Sequence, residues 1–351
     1  MQGLFLSWYN VFMKILGIET SCDETALAII ESDGKDFVVK KDLVFSQIPI
    51  HKKFGGVVPE VAARAHVEKL PSLLDQLGTK TGKGIDAIAV VNGPGLVTSL
   101  RVGVELGKTL SFLWKKPLIA INHIEAHILA NWLTKKNKII FPALALVVSG
   151  GHTELILMKK KGEYKKIGQT LDDAAGEAFD KVAKIFNIGY PGGPAIAKWA
   201  EKGKADAIDF PRPLINKPNF DFSFSGLKTA VLYEVKRNEK KANNKKYVAD
   251  VCASFQEAVV DTLVAKTIKA AKKHRVKTIM LAGGVSANKW LRTELQLGVK
   301  KFLPKVNVVL PEIKYTGDNA AMVGAAGVFH AKKKNFTKWE KIDVDPNLSL
   351  G

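Results

Sequence analysis

Residues 14–30 read KILGIETSCDETALAII, and this stretch sets the fold class of the chain. Two apolar runs, at 14–20 and 26–30, predict two buried strands, and the polar residues between them predict a turn. The same arrangement returns at residues 143–158, ALALVVSGGHTELILM, where a Ser-Gly-Gly-His-Thr turn separates two apolar strands. Two hairpins of one design predict a duplicated lobe.

Short apolar strands alternate with helical patterns after each hairpin. Examples are AIAVV at residues 87–91 and TIMLA at 278–282. This alternation predicts two α/β lobes. We expect an N-terminal lobe at 13–140 and a C-terminal lobe at 141–351, with the boundary near the lysine-rich stretch 135–138.

The chain opens on an apolar stretch that does not have the form of a targeting signal. Residues 1–12 lack the basic leader and the small-residue cleavage site of a secretory signal peptide. We expect Met13 to be the true start and residues 1–12 to be an N-terminal extension. No apolar run reaches the ~20 residues that a membrane helix needs, and Cys22 and Cys252 are too few for a disulfide framework. These features predict a cytoplasmic protein that does not enter a membrane.

Positive charge predominates over the 351 residues, with 53 lysines and arginines against 34 aspartates and glutamates and a net charge of +19. This excess is typical of a protein that binds a polyanion such as nucleic acid, through phosphate contacts and release of counterions. It is also typical of solvated lysine runs such as 159–161 and 332–334. The charge alone therefore leaves both interpretations open.

Two histidines lie close together in NHIEAH, residues 122–127. If a helix begins there, His123 and His127 lie on one face and can bind one metal ion. Asp318, in the turn-rich YTGDNAA at 315–321, is the best remote candidate for a third ligand. A histidine pair at this spacing is equally typical of residues that only cap and line a helix, so the pair by itself does not decide.

The position of Glu125 argues against a metalloprotease of the HExxH type. In that motif the glutamate directly follows the first histidine. Glu125 follows His123 by two residues, about 200° around a helix, and would point away from a bound metal. The GxxxxGK[ST] phosphate loop and a GxGxxG that opens a βαβ unit are also missing from the sequence.

Four small-residue turns are expected to follow apolar strands, at 92–95, 149–152, 191–194 and 283–288. Glycine lets backbone N–H groups approach an anion, and a following helix N-terminus adds favourable dipole charge. Each turn alone is more typical of a simple tight turn, but four of them over two matching lobes predict a nucleotide site. Asp180, on a nearby helical pattern, is either a ligand for a ribose or an amine, or a surface acid.

Six motifs together resemble those of the TsaD family, the tRNA N6-adenosine threonylcarbamoyltransferases, in its bacterial form. They are IETSCDET at 18–25, HIEAH at 123–127, VSGGHT at 148–153, DDAAGEAFDK at 172–181, YPGGP at 190–194 and FSFSGLK at 222–228. The resemblance covers about residues 13–330. It implies an α/β fold of the actin-like, sugar-kinase-like (ASKHA) type, with two duplicated lobes and a nucleotide cleft between them.

The resemblance also implies a reaction. Members of this family transfer a threonylcarbamoyl group from threonylcarbamoyl-adenylate to N6 of adenosine 37 in tRNAs that read codons beginning with A. The product is N6-threonylcarbamoyladenosine (t6A), and AMP is released. Bacterial relatives work with a TsaB-like pseudo-enzyme paralogue and a TsaE-like ATPase, so we expect the same partners here besides tRNA.

By motif match, the resemblance assigns residues to this reaction. His123, His127 and Asp318 would hold one divalent metal, iron or else zinc. The site of the adenylate, or of ATP and AMP, would be lined by Val147, Val148, Ser149, Gly150, Gly151, Asp180, Gly193 and Asn288. Asp23 matches an acidic position associated with activity, and it would either accept a proton or orient the amine. It could also serve only to pin its turn as an Asx turn.

Two other classes of protein stay open as alternatives. A kinase of the same fold class would use similar loops for ATP, but it needs a catalytic base beside a sugar pocket and has no use for the histidine pair. A non-catalytic scaffold would lack the three metal ligands, all of which this chain carries. The ligands therefore favour the transferase.

Overall fold

A computed structural model describes residues 12–135 and 137–351, so the expected extension at 1–12 lies outside the described residues except for Phe12. The described residues divide into two compact units. The first unit comprises residues 12–47, 57–135 and 318–349, and the second comprises 48–56, 137–317 and 350–351.

The first unit is built on one mixed sheet. Its strands are β1 (Met13–Glu19), β2 (Glu24–Ser32), β3 (Phe37–Ser46), β4 (Ala87–Gly93) and β5 (Leu118–Asn122). Its helices are α2 (Pro59–Leu77), α3 (Val97–Trp114), α4 (His123–Leu129) and α10 (Ala320–Lys332), with a 3-10 helix at Ala130–Leu133.

The second unit is built on another mixed sheet. Its strands are β6 (Ala143–Val148), β7 (Thr153–Met158), β8 (Lys165–Gln169), β9 (Thr278–Ala282) and β10 (Asn307–Val309). Its helices are α1 (Ile48–His51), α5 (Ala175–Ile185), α6 (Gly192–Ala200), α7 (Ser225–Arg237), α8 (Lys245–Lys273) and α9 (Lys289–Phe302). Short 3-10 helices lie at Lys52–Phe54, Glu239–Lys241, Gly284–Ala287 and Ile313–Tyr315.

The two sheets have the same topology. The strand order is β3-β2-β1-β4-β5 in the first unit and β8-β7-β6-β9-β10 in the second. Each sheet starts with three antiparallel strands in chain order and adds two strands parallel to the first of them. The prediction of two duplicated α/β lobes is confirmed.

Helix α10 packs against β1 and β2 of the first unit through small residues. A Cβ atom at Gly17 would lie 2.2 Å from the carbonyl oxygen of Ala320, and one at Gly324 would lie 2.5 Å from Cγ1 of Ile30. This close approach places residues 318–349 in the first unit, whereas the sequence assigned them to a C-terminal lobe at 141–351. The Ala- and Gly-rich helix is buried almost all round and has no amphipathic pattern that would identify its partner sheet.

An irregular segment of the second unit, residues 201–224, is anchored by aromatic side chains. Phe210, Phe220, Phe222 and Phe224 are buried in the core of that unit, which explains how a long connection without regular structure stays ordered. Within the described part of the chain, no helix is both long enough and apolar enough to cross a membrane.

Candidate metal centre and nucleotide loops

Helix α4 begins directly at the end of β5 and carries both histidines. Its N-cap is Asn122, whose side-chain oxygen accepts hydrogen bonds from the backbone N–H groups of Ile124 at 2.8 Å and Glu125 at 3.2 Å. The cap fixes where the helix starts. His123 and His127 therefore lie one turn apart on one face, with ring centroids separated by 4.6 Å, and both are buried.

Asp318 brings a carboxylate to the two imidazole rings. It lies just before α10, whose N-cap Asn319 accepts a hydrogen bond from the Met322 N–H at 2.9 Å. Oδ1 of Asp318 lies 3.0 Å from Nε2 of His127 and 3.6 Å from Nε2 of His123. One ligand atom from each of the three residues falls within 4.8 Å of the others. The structure thus brings the three expected ligands together in one unit, two on helix α4 and one just before α10.

A carboxylate and a hydroxyl hold the other side of the His123 ring. Glu19, fully buried at the end of β1, places Oε2 3.3 Å from Nδ1 of His123, and the Ser21 hydroxyl lies 3.1 Å from the same nitrogen. Because Glu19 accepts a hydrogen bond from Nδ1, it orients the ring so that Nε2 faces Asp318, the direction from which a metal would be bound once Nε2 has lost its proton. Sequence reasoning missed Glu19, which it counted as part of an apolar strand; an acid inside such a strand was the available signal.

The three residues fit a divalent metal. Two imidazole nitrogens and one carboxylate oxygen are donors that Fe²⁺ and Zn²⁺ both accept. Burial disfavours a charged His123 ring, but the carboxylates of Asp318 and Glu19 outweigh it and raise the pKa of His123 to about 9. This buried cluster therefore favours positive charge, which a metal cation supplies. Nδ1 of His127 is buried and makes no hydrogen bond among the described residues.

The first hairpin turn brings further carboxyl groups near Asp318. Glu24, the first residue of β2, accepts a hydrogen bond from the Ser46 hydroxyl at 3.2 Å. Burial, reinforced by the negative charges of Asp318 and Asp23, raises the pKa of Glu24 to about 10. Glu24 is therefore a neutral acid near pH 7, in a hydrogen bond with Asp23. The sequence singled out Asp23 but gave no reason to separate its neighbour from other strand-edge acids.

The environment of Cys22 argues against a thiol nucleophile. Burial, followed by the charges of Asp23 and Asp318, raises the pKa of Cys22 well above its usual value, and a thiol is a far weaker nucleophile than a thiolate. Nε2 of His66 lies 3.0 Å from the Cys22 carbonyl oxygen, and Nδ1 lies 2.8 Å from the Thr25 hydroxyl. His66 thus holds the backbone of the turn.

In the second unit, the Ser-Gly-Gly turn after β6 lies against the start of α5. The Ser149 N–H donates to the His152 carbonyl at 2.8 Å, and the Gly176 N–H donates to the Ser149 carbonyl at 3.2 Å. A Cβ atom at Gly150 or Gly151 would meet no atom within 4 Å, whereas one at Gly176 would lie 2.6 Å from the Ser149 oxygen. The glycine pair therefore borders open space beside a helix N-terminus, which suits an anion.

The other predicted nucleotide residues shape this region in different ways. Val147 and Val148 are fully buried at the end of β6, so their contact with a nucleotide stays a prediction. Gly283, with φ 85°, packs so closely that a Cβ atom would lie 2.5 Å from the Val148 oxygen. The Asn288 side chain caps α9 with its oxygen and donates from Nδ2 to Oε1 of Gln256 at 2.8 Å. Asn288 is thus held in place by protein contacts.

Asp180 joins α5 to the start of α6. Its Oδ1 accepts a hydrogen bond from the Gly192 N–H at 2.6 Å. A Cβ atom at Gly193 would meet nothing within 4 Å, so this glycine also borders open space. Direct contact of Asp180 with a ribose or an amine stays a prediction.

The turn at 92–95 differs from the other glycine turns, because the C-terminal segment covers it. A Cβ atom at Gly93 would lie 1.8 Å from the Asp345 carbonyl oxygen, and the Gly95 N–H donates to the Pro346 carbonyl at 3.2 Å. The Asp345 N–H also donates to the Asn92 carbonyl at 2.8 Å. The prediction of an anion-binding turn here is wrong, because chain remote in sequence uses its backbone groups.

Comparison with known proteins identifies close relatives. The sequence model of one family, described as TsaD: tRNA N6-adenosine threonylcarbamoyltransferase, matches residues 39–325. The tRNA N6-adenosine threonylcarbamoyltransferase of Thermosipho africanus is 47% identical over 342 residues, which cover 96% of this chain and 100% of the relative. That of Bacillus subtilis is 49% identical over 343 residues, which cover 96% of each chain.

Solved structures support the fold. Full-length HypF, in a phosphate- and nucleotide-bound form, matches with a TM-score of 0.62 at 12% identity, over 94% of this chain and 57% of the HypF chain. HypF of T. kodakarensis matches with a TM-score of 0.60 at 14% identity, over 93% of this chain and 48% of its own. At such low identity the likeness concerns the fold alone, and with the two matching mixed sheets it confirms the actin-like, sugar-kinase-like class.

Proposed function

Because the chain belongs to the TsaD family of tRNA N6-adenosine threonylcarbamoyltransferases, we propose that its metal centre and its glycine loops serve one acyl transfer. The chain transfers a threonylcarbamoyl group to N6 of an adenosine in tRNA and forms t6A. In the reaction we assign to it, the donor is threonylcarbamoyl-adenylate, the acceptor is adenosine 37 of tRNAs that read codons beginning with A, and AMP leaves.

One observation carries the assignment of the chemistry to the first unit. His123 and His127 direct Nε2 towards the same carboxylate oxygen of Asp318, at 3.6 Å and 3.0 Å. Residues that only cap or line a helix do not need a half-buried acid, remote in the chain, at this point. The arrangement therefore favours a ligand set over the structural interpretation of the histidine pair.

The metal would supply Lewis acidity, through which charge developing on the transferred group is stabilised. The chain's own residues would prepare this site. Glu19 orients the His123 ring and fixes its tautomer through Nδ1. Burial of the His123 and His127 rings limits the access of water to the ligand nitrogens.

Asp23 is the residue we assign to the attacking amine. The N6 amine of adenine is a poor nucleophile, so its position and the removal of its proton both matter. In the metal-free protein, burial and the charges of Asp318 and Asp23 raise the pKa of the neighbouring Glu24 to about 10. Asp23 would accept the amine proton or orient the amine.

The loops of the second unit would hold the adenylate. Gly150, Gly151 and Gly193 are the predicted nucleotide residues at which an added Cβ would meet nothing within 4 Å. Their N–H groups, together with the N-terminus of α5, would bind the phosphate of threonylcarbamoyl-adenylate, ATP or AMP. Asp180 and Asn288 would keep the surrounding loops in place through the Gly192 N–H and Gln256.

The metal, the partners and the compartment complete the proposal. We assign Fe²⁺ to the site, with Zn²⁺ as the alternative that the same donors accept. We expect tRNA as substrate, and a TsaB-like pseudo-enzyme paralogue and a TsaE-like ATPase as the partners that support multiple turnover. A chain of this kind would work in the cytoplasm.

A transfer assay tests the proposal. Purified protein is given threonylcarbamoyl-adenylate and unmodified tRNA, and t6A is read by mass spectrometry of nucleosides, with the partner proteins added in a parallel reaction. We expect t6A from the wild type and none from a variant with His123→Ala and His127→Ala. Absence of t6A even with the partners, or equal t6A from the variant, would contradict the proposal.

A further inference from the structure

Glu125 lies inside the histidine motif, yet it faces away from the metal ligands. Its side chain is only 9% exposed, and its Oε2 atom lies 2.9 Å from Nε2 of His330, near the end of α10. Burying a carboxylate is costly unless it is paired or hydrogen-bonded. The contact with His330 therefore offsets the cost of burying the Glu125 carboxylate.

The proton arrangement around His330 is consistent with a directed hydrogen bond to Glu125. Nδ2 of Asn335 lies 2.8 Å from Nδ1 of His330, and the Asn335 N–H donates to the His330 carbonyl at 3.0 Å. When the amide group of Asn335 donates to Nδ1, the imidazole carries its proton on Nε2 and donates it to Glu125. Asn335, which follows α10 in the chain, thus holds the imidazole ring of His330 in place.

The pair connects the two helices that carry all three metal ligands. Helix α4 contains His123 and His127, while Asp318 directly precedes Asn319, the N-cap of α10. His330 lies about 15 Å further along α10, at 1.5 Å per residue. We propose that Glu125 and His330 are a positioning pair: they fix α10 against α4 and so place Asp318 at the two histidines.

The physical reason is the narrow tolerance of metal coordination. Ligand distances must be correct to about 0.2 Å. Helix α10 packs on β1, β2 and β4 and on α4 itself, largely through small apolar residues, and such packing is less directional than a hydrogen bond. A hydrogen bond between the buried carboxylate of Glu125 and the half-buried imidazole of His330 resists sliding of one helix along the other. The inference rests on the proposed metal site.

Metal affinity tests the pair without relying on catalysis. Zn²⁺ affinity is measured by competition with a chromophoric chelator, and ligand geometry by the visible absorption of Co²⁺-loaded protein. We compare Glu125→Leu, His330→Leu, the double variant and Glu125→Gln. The control is Leu77→Ala, which removes a buried side chain at the end of α2, in the same unit but on neither helix of the pair. His330 is 20% exposed near a helix end, so its variant is expected to fold.

We expect each leucine variant to bind Zn²⁺ roughly tenfold more weakly, by analogy with removal of outer-shell partners, and to alter the Co²⁺ spectrum. The double variant should bind Zn²⁺ no more weakly than the single variant with the lower Zn²⁺ affinity, because the two residues act as a unit. Glu125→Gln should retain most affinity, since its amide oxygen can accept from Nε2.

Two results would overturn the inference. One is wild-type affinity and spectrum in both leucine variants, whatever their melting temperature. The other is an equal loss of affinity in Leu77→Ala, which would show that general destabilisation explains the effect. A wild-type protein that binds neither Zn²⁺ nor Co²⁺ would instead refute the proposed metal centre, and with it the pair.

Discussion

The carboxyl group of Glu24 shows how strongly burial and neighbouring charge change one side chain. Its pKa rises to about 10, first because the group is buried and then because of Asp318 and Asp23. In the metal-free protein the folded state therefore holds a proton that the unfolded chain releases near pH 4.5. The contribution of Glu24 to the free energy of unfolding therefore falls as the pH rises between these two values, because at this group the folded state binds more protons than the unfolded state.

Glu24→Gln is expected to remove this part of the pH dependence. The amide resembles the protonated acid in shape and is neutral at every pH. Urea unfolding of metal-free protein between pH 6 and pH 9 should show a stability that falls less steeply in the variant than in the wild type. Glu31→Gln, on the same strand but paired with Lys40, is the control. Equal slopes for Glu24→Gln and the wild type would contradict the neutral state of Glu24.

Glu19→Gln is expected to weaken metal binding while leaving all three ligands in place. The amide keeps an acceptor near Nδ1 of His123 but removes the negative charge that makes the ring a better ligand. The expected loss is roughly 10–100-fold in Fe²⁺ or Zn²⁺ affinity, measured by chelator competition. Unchanged affinity in this variant would mean that Glu19 is only a partner for Ser21.

Single residues also mark where sequence reasoning stops. The histidine spacing predicted two ligands because helix geometry relates nearby residues, and the turn-rich context pointed to Asp318. Glu19 and Glu24 act on that centre only through folding: 104 positions separate Glu19 from His123 in the chain. No local pattern encodes such a contact.

Among the secondary-structure elements, the glycine turn after β6 carries the proposed phosphate site. Gly151→Ala should leave the fold intact, because the added Cβ would meet no atom within 4 Å, but it would enter the space proposed for the phosphate. We expect AMP affinity to fall about tenfold, or 1.4 kcal/mol, in titration calorimetry, with an unchanged melting temperature.

Gly203→Ala is the matched contrast for this experiment. Its Cβ would lie 2.0 Å from the Ala249 carbonyl oxygen, so the variant should lose stability. Whatever fraction stays folded should keep the AMP affinity of the wild type. If Gly151→Ala binds AMP normally, the phosphate does not lie at this turn.

The strands and hairpins were predictable, while the partners of some elements were not. Period and turn chemistry located β1, β2, β6 and β7 within a few residues, because alternation and apolar runs are local properties. The packing of α10 on the first sheet was not predictable, since its small residues would allow close packing against either sheet. The cover over the turn at 92–95 was not predictable either. It comes from residues 345–346, and by composition the turn resembles the open glycine turns.

For the whole molecule, the net charge of +19 predicts that binding to tRNA depends on the salt concentration. If lysines and arginines contact phosphates, tRNA affinity should fall linearly with salt on logarithmic axes, with a slope of about −3 or steeper for four or more contacts. Filter binding at several salt concentrations measures this slope. AMP affinity is the internal control and should change much less. A tRNA affinity independent of salt would show that the excess charge is merely solvated.

The central claim is that t6A formation depends on the metal held by His123, His127 and Asp318. The most direct measurement strips the purified protein with a chelator, restores Fe²⁺ or Zn²⁺ at one equivalent, and quantifies t6A in tRNA by mass spectrometry. We predict that stripping abolishes t6A and that one equivalent restores it in the wild type but not in Asp318→Asn. Full activity of the stripped protein, or equal restoration in Asp318→Asn, would contradict the account.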